Sequence, residues 1–134
     1  MTLRLLIVDD SVRFLRAARS LLERQGLTVV GVASDSSEAL RQAETLRPDV
    51  ILVDIDLGGE SGFEVARRLD REAGPAPRVI LVSTHAKQDY QELIAASPAV
   101  GFLPKAALSA GAVRAKLAGR GDGDPAGASG PPPR

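Results

Sequence analysis

Short runs of apolar residues alternate along the chain with segments whose apolar positions recur at helical spacing. The five apolar runs predict strands, because they are short, continuous and bounded by polar or turn residues. The predicted strands cover residues 3–8, 27–32, 50–53, 79–82 and 99–103. A predicted helix follows each of them, and the helices cover residues 11–25, 35–47, 61–72, 88–96 and 108–117.

Two of the predicted helices carry a start signal in the sequence. Asp35 with Glu38, and Ser61 with Glu64, have the spacing of a capping box, in which the two side chains bond each other's backbone N–H groups. The last helix is weaker, because Gly111 lies inside it. We therefore expect well-defined starts for the second and third helices.

The strand sequences indicate the fold class. Residues 50–53 and 79–82 both read Val-Ile-Leu-Val, and strands that are apolar at every position are typical of a parallel sheet buried on both faces. Strands that alternate with helices form such a sheet through right-handed crossovers. The sequence therefore predicts an α/β fold, a doubly wound five-stranded parallel sheet with helices on both faces.

The last sixteen residues differ in composition from the rest. Residues 119–134 contain five Gly and four Pro and no large apolar side chain. Such a segment buries too little surface to offset its ordering entropy, so we predict a disordered tail or linker there. The folded domain is expected to cover residues 1–118.

Charge and composition exclude several classes of protein. The chain has 17 basic and 17 acidic residues, no cysteine and one histidine. Zero net charge argues against direct nucleic-acid binding, and the residue counts exclude disulfides, thiolate sites and zinc sites with paired histidines. No apolar run approaches the roughly 20 residues of a membrane span. We expect a soluble, cytoplasmic protein without membrane contact.

Polar residues follow the predicted strands at the point where each strand ends. Asp9 and Asp10 follow the first strand, Asp54 the third, Ser83 the fourth and Lys105 the fifth. Ligands of doubly wound sheets bind at the carboxyl ends of the strands. We therefore expect these side chains to meet at one edge of the sheet.

Three carboxylates, a hydroxyl and a lysine together suggest phosphoryl chemistry. Closely packed carboxylates repel one another unless a cation neutralises them, and oxygen ligands suit Mg²⁺. Lys105 cannot bind that cation, but it can pair with a phosphoryl group, to which Ser83 can also donate. A carboxylate beside Mg²⁺ can itself become phosphorylated. The expected chemistry is an aspartate that accepts a phosphoryl group.

Four segments in order resemble the receiver domain of two-component response regulators across residues 3–118. They are LLIVDDS, VILVDIDLGGESGFE, VILVST and GFLPKA. The resemblance implies the flavodoxin-like strand order 2-1-3-4-5 and phosphorylation of Asp54 by a sensor histidine kinase or a phosphotransfer protein. It implies Mg²⁺ bound by Asp10, Asp54 and the backbone carbonyl of Asp56, with Asp9 acting through water.

The resemblance also implies how the phosphorylated state is read. Ser83 would be the conformational reporter and Phe102 an aromatic switch that turns inward. Asp56 and His85 would tune the hydrolysis of the acyl phosphate. The face formed by the fourth helix, fifth strand and fifth helix would carry the output, including a homodimer contact.

Three features depart from the commonest family pattern or strain it. Gly58 stands where proline is common, which should loosen the loop after the acceptor, and Ser83 stands where threonine is commoner. A cis peptide bond is implied directly after Lys105. Because Ala106 follows, that bond would cost about 2.5–4 kcal/mol, and we nevertheless predict it to be cis.

Two alternatives remain open at the level of sequence. Asp54 and Asp56 also fit the nucleophile motif of haloacid-dehalogenase-like phosphohydrolases, in which the second aspartate is the acid/base. That family needs a further acidic pair after the lysine, and the next acids here are Asp122 and Asp124. The other alternative is a receiver-like module that binds partners without phosphorylation. We expect no enzyme activity beyond the domain's own phosphorylation and dephosphorylation.

Overall fold

The computed structural model describes residues 3–72 and 77–120. The strands are β1 (Arg4–Val8), β2 (Thr28–Ala33), β3 (Val50–Asp54), β4 (Arg78–Ser83) and β5 (Gly101–Pro104). The α-helices are α1 (Val12–Arg24), α2 (Ser36–Leu46), α3 (Gly62–Glu72), α4 (Gln91–Ala96) and α5 (Ala110–Arg120). Short 3₁₀ turns cover Lys87–Asp89 and Lys105–Ala107.

The five strands form one parallel sheet in the order β2-β1-β3-β4-β5. This confirms the predicted fold class and strand order. Every residue of β3 is buried, as are all but the first residues of β1 and β4. The apolar runs are thus buried because helices cover both faces of the sheet.

Alternate strand residues divide the core into two clusters. Val8, Ile51 and Val53 pack with α2 and α3 on one face of the sheet. Ile7 and Leu52 pack with α1 and α5 on the other face. Because side chains alternate along a strand, a continuous apolar run supplies both clusters at once.

The helix starts agree with the sequence signals in position but differ in detail. Asp35 caps α2 and accepts a hydrogen bond from the backbone N–H of Glu38 at 2.8 Å. The Glu38 carboxylate accepts from the N–H of Ser34, not from that of Asp35. At α3, the Ser61 hydroxyl accepts from the N–H of Phe63. The sequence therefore located both starts correctly, although neither forms the reciprocal pair of a capping box.

The region around the fourth helix is where the structure departs most from the prediction. Residues 88–96, predicted as one helix, form a 3₁₀ turn and the six-residue α4, which meet at Tyr90. Neither piece contains a buried residue, so little packing is available to hold a continuous helix.

The end of the domain extends slightly beyond the predicted boundary. Helix α5 continues to Arg120, two residues past the expected end of the domain. The remainder of the predicted tail, residues 121–134, lies outside the described residues. Among the helices of the described part, none is long and apolar enough to cross a membrane.

Candidate functional site

The carboxyl edge of the sheet brings together the side chains predicted from the sequence. Asp9 follows β1, and its N–H donates to the carbonyl of Ala33 at the end of β2. Asp54 and Ser83 are the last residues of β3 and β4, and Lys105 directly follows β5. Parallel register puts these four positions at one edge, as expected.

Three carboxylates form the centre of the site. Oxygens of Asp9, Asp10 and Asp54 all lie within 4.8 Å of one another. Asp9 is fully buried and Asp54 is 7% exposed, whereas Asp10 is exposed to solvent. Three hard oxygen donors, one of them open to water, fit Mg²⁺, which retains several waters.

Lys105 supplies a positive charge inside this cluster. Its Nζ lies 2.6 Å from Asp9 Oδ2 and 3.3 Å from Asp54 Oδ2. The shorter contact is a close ion pair with the buried Asp9, and the longer one is a hydrogen bond to Asp54. The buried oxygen of Asp9 is neutralised by the ammonium, so Lys105 offsets part of the negative charge of the cluster.

The charges perturb one another. Burial raises the pKa of the Asp54 carboxyl from 3.8 to about 6, and the negative charge of Asp9 raises it too, while the Lys105 ammonium opposes the change. Burial alone would lower the pKa of Lys105, but its contacts with Asp9 and Asp54 outweigh burial and raise it. Lys105 is therefore charged, and the ionised Asp54 is a carboxylate that gains from any further cation.

The peptide bond after Lys105 corrects one prediction. All peptide bonds of the described residues are trans, including Lys105–Ala106, so the predicted cis bond is wrong. The chain turns instead by entering the 3₁₀ turn Lys105–Ala107. The long, flexible lysine side chain reaches Asp54 from this turn, so the backbone needs no unusual isomer.

Ser83 and His85 line the open side of the site. A cavity of about 200 Å³ opens here, and its lining residues are Asp10, Asp54, Asp56, Gly58, Ser83, Thr84 and His85. The Ser83 hydroxyl accepts from the N–H of His85 at 2.9 Å, and His85 Nδ1 lies 3.5 Å from it. The His85 ring also packs edge-on against Tyr90, with 5.9 Å between ring centroids. Both residues predicted from this strand end thus face the space above Asp54.

Phe102 lies beneath this rim and is already buried. It is 4% exposed and belongs to the core cluster against which Tyr90 and Ile94 pack. In this structure Phe102 therefore already occupies a buried, inward position. Its role as an aromatic switch stays a prediction.

Two glycines in and after the β3–α3 loop are required by close contacts. Gly58 has φ +58°, and a Cβ there would lie 2.5 Å from Asp10 Oδ2. A Cβ at Gly62 would overlap the carbonyl oxygen of Asp54. Gly58 therefore leaves room for the Asp10 carboxylate, and Gly62 lets α3 start against the end of β3.

Sequence reasoning missed two residues that contact the site or its loop. The ring of Phe14 lies under Lys105, with Nζ 4.2 Å from its centroid. The carboxylate of Glu60 accepts from both the N–H and the hydroxyl of Ser36 at the start of α2. Phe14 could have been noticed, because it lies one helical turn after Asp10. Glu60 and Ser36 carry no local signal, since 24 positions separate them.

A family model and several known proteins match most of this chain. The family model described as the response regulator receiver domain matches residues 5–117. Protein-glutamate methylesterase/protein-glutamine glutaminase 5 of Myxococcus xanthus is 38% identical over 112 residues, which are 83% of this chain and 28% of that protein. The transcriptional regulatory protein LiaR of Bacillus subtilis is 34% identical over 121 residues, which are 87% of this chain and 57% of that protein. The chain thus spans only part of these curated relatives.

A solved structure is similar in fold and sequence. It is a response regulator protein from Burkholderia pseudomallei with a phosphorylated aspartic acid, calcium ion and citrate. The two chains align with a TM-score of 0.75 and 25% identity, over 89% of this chain and 69% of that one. Because the family model spans nearly all of the described fold, from β1 into α5, this chain belongs to the family of response regulator receiver domains.

Proposed function

We propose that this chain is a phosphorylation-activated signalling switch of a two-component system, in which Asp54 is the phosphoryl acceptor. The donor would be the phosphohistidine of a sensor histidine kinase or of a phosphotransfer protein. The observation that carries the proposal is the convergence of Asp9, Asp10 and Asp54 with Lys105 at one edge of the sheet. The phosphorylated aspartic acid of the Burkholderia relative supports the same chemistry.

The carboxylate of Asp54 would act as the nucleophile. The bond between phosphorus and the donor's imidazole nitrogen breaks, that nitrogen keeps the electron pair, and a carboxylate oxygen of Asp54 bonds to phosphorus. Attack needs the ionised carboxylate, and a pKa of about 6 leaves Asp54 mostly ionised at neutral pH. Lys105 and the Ser83 hydroxyl would pair with oxygens of the arriving phosphoryl group.

A divalent cation would complete the site. Asp10, Asp54 and the backbone carbonyl of Asp56 would be its ligands, and Asp9 would act through a water molecule. Bound Mg²⁺ supplies positive charge where carboxylates and phosphoryl oxygens accumulate negative charge. The mutual approach of the carboxylates of Asp9, Asp10 and Asp54 supports this assignment.

Two residues at the rim would set the lifetime of the phosphorylated state. His85 lines the cavity above Asp54 and is exposed to solvent, where it can contact the water that hydrolyses the acyl phosphate. The Asp56 side chain lines the same cavity. We assign both a tuning role, in which they alter the rate of hydrolysis without being needed for phosphoryl transfer.

The phosphorylation signal would pass to partners through the side of the domain that contains α4 and the preceding 3₁₀ turn, neither of which has a buried residue. Ser83 would move toward the phosphoryl group, and Phe102, Tyr90 and α4 would repack in response. The face made by α4, β5 and α5 would then bind a partner or a second copy of the chain. We place this switch in the cytoplasm and assign it no direct contact with nucleic acid or membrane.

The alternatives fit the site less well. A haloacid-dehalogenase-like phosphohydrolase would leave Asp9 and Asp10 without a role and conflicts with the family assignment. A module that works without phosphorylation would not need the buried contact between Lys105 and Asp54. The Myxococcus relative is named as a methylesterase, but the match covers only 28% of that protein. Turnover of a generic aryl phosphate would identify a phosphohydrolase.

The proposal is tested by replacing the acceptor. With acetyl phosphate and Mg²⁺, the wild-type chain is expected to gain the mass of one phosphoryl group, and Asp54→Asn to gain none. Asp70→Asn is the matched control, because Asp70 is an exposed carboxylate on α3 and should be labelled normally. Undiminished labelling of Asp54→Asn would overturn the assignment.

A further inference from the structure

The ammonium of Lys105 has three close neighbours, and one of them is aromatic. Two are the carboxylates of Asp9 and Asp54. The third is the face of the Phe14 ring, 4.2 Å from Nζ to the ring centroid. Only 16% of the Lys105 side chain is exposed, so these groups replace most of the water around the charge.

The helix turn that carries Phe14 is joined to the same carboxylate that binds the lysine. Asp9 Oδ1 accepts from the N–H of Ser11 at 2.8 Å. The Ser11 hydroxyl in turn caps α1 by accepting from the N–H of Phe14 at 3.2 Å. Asp9 therefore holds the first turn of α1 with one oxygen and contacts the lysine with the other, and the ring of Phe14 on that turn lies against the ammonium.

We infer that Phe14 is a positioning residue for Lys105, holding the ammonium by a cation–π contact at the point where it meets the phosphoryl group on Asp54. The inference rests on the proposed function, because it gives Lys105 its phosphoryl partner. A cation over an aromatic face is attracted by the ring quadrupole, and more strongly where water is excluded. Without the ring, the flexible side chain of the lysine would let the ammonium occupy several positions.

A purely steric role for Phe14 makes a different prediction. The ring also packs against the core cluster on the α1 face of the sheet, so any large apolar side chain would fill the same space. Phe14→Met keeps the apolar bulk and removes the aromatic face, whereas Phe14→Tyr keeps the face. A steric role predicts that Met works as well as Phe, and a cation–π role predicts that only Tyr does.

The first measurement is spectroscopic and needs no phosphorylation. In the full chain without Mg²⁺, NMR signals of the Lys105 Cε and Nζ protons are expected upfield, because they lie over an aromatic face. The upfield shift should persist in Phe14→Tyr and disappear in Phe14→Met. Ordinary Lys105 shifts in the wild-type chain would overturn the contact.

The second measurement is the rate of phosphorylation by subsaturating acetyl phosphate in Mg²⁺. Phe14→Met is expected to lower this rate about two- to fivefold, the range of a modest cation–π contact, and Phe14→Tyr to restore it. Leu22→Met is the matched control, because Leu22 is a buried residue of the same helix and that variant should keep the wild-type rate.

The outcomes separate this inference from the proposed function. A wild-type chain that takes no phosphoryl group would overturn the proposed function, and the role of Phe14 with it. Normal labelling of the wild type together with a wild-type rate for Phe14→Met would overturn only the role of Phe14. Equal losses in Phe14→Met and Phe14→Tyr, with both variants folded by thermal unfolding, would also overturn it.

Discussion

Two sides of the domain differ in how many buried residues they contain. We call β3 with α3 the Asp54 side, and α4 with the preceding 3₁₀ turn the α4 side. On the Asp54 side, every residue of β3 is buried and α3 contributes five buried residues. On the other side, α4 and the preceding 3₁₀ turn contribute none, and Leu93 is 52% exposed. The proposed phosphoryl chemistry thus lies on a tightly packed part of the fold, next to a part that can repack at small cost.

This contrast suggests how a local charge change can be transmitted. Ser83 lies at the boundary, since it ends a buried strand and contacts His85, whose ring packs on Tyr90. A phosphoryl group on Asp54 that draws Ser83 inward would disturb the α4 side before the Asp54 side.

The largest change in stability is expected where α3 starts against the end of β3. Gly62→Ala places a methyl group on the Asp54 carbonyl, which should cost about 2–4 kcal/mol of unfolding free energy through overpacking. Leu93→Ala on α4 should cost less than about 0.5 kcal/mol, as exposed positions usually do. Urea unfolding of both variants gives the comparison, and similar losses would contradict the difference in packing.

Loss of the Asp10 carboxylate should affect Mg²⁺ binding more than it affects the folding of the domain. Asp10→Ala is expected to abolish Mg²⁺ binding, since it removes the open carboxylate of the cluster, and to leave the domain folded. Thermal stability without Mg²⁺ should be unchanged or higher, because one of the repelling charges is gone. Titration calorimetry checks the affinity, with Asp70→Ala as a control that should bind normally. Wild-type affinity in Asp10→Ala would refute the ligand assignment.

The stability of the metal-free domain should depend on the ionisation of Asp54. A folded-state pKa of about 6, above 3.8, means that this group stabilises the fold at low pH and loses that contribution as pH rises through about 6. Asp54→Asn should therefore be more stable than the wild type by about 1–3 kcal/mol near pH 8, with no difference below about pH 4.

The measurement is urea unfolding at several pH values without Mg²⁺. Asp70→Asn is the control for the removal of a carboxylate, because its exposed position should give no such gain. Equal stability of Asp54→Asn and the wild type at pH 8 would show that the buried charge carries no cost.

A phosphoryl mimic should perturb the two sides unequally. Addition of beryllofluoride and Mg²⁺ is expected to shift amide NMR signals of residues 83–105 more than those of α2, because the α4 side repacks. The same additions should leave Asp54→Asn unshifted. A uniform response, or none in the wild type, would count against the switch.

Sequence reasoning recovered what depends on strand order and missed what depends on side-chain packing. The meeting of Asp9, Asp54 and Lys105 follows from parallel strands, whose carboxyl ends share an edge. The break at Tyr90 and the trans bond after Lys105 could not be predicted in this way. They depend on how few contacts a segment makes and on how far a lysine side chain can reach, which are properties of the assembled fold.

The central claim is that Asp54 carries the phosphoryl group, and locating that group in the wild-type chain tests it most directly. After incubation with acetyl phosphate and Mg²⁺, borohydride reduces an aspartyl phosphate to homoserine, which mass spectrometry of peptides locates. We expect homoserine at position 54 alone, and none when Mg²⁺ is chelated before labelling. Homoserine at another aspartate, or a stable phosphate on Ser83 or His85, would contradict the account.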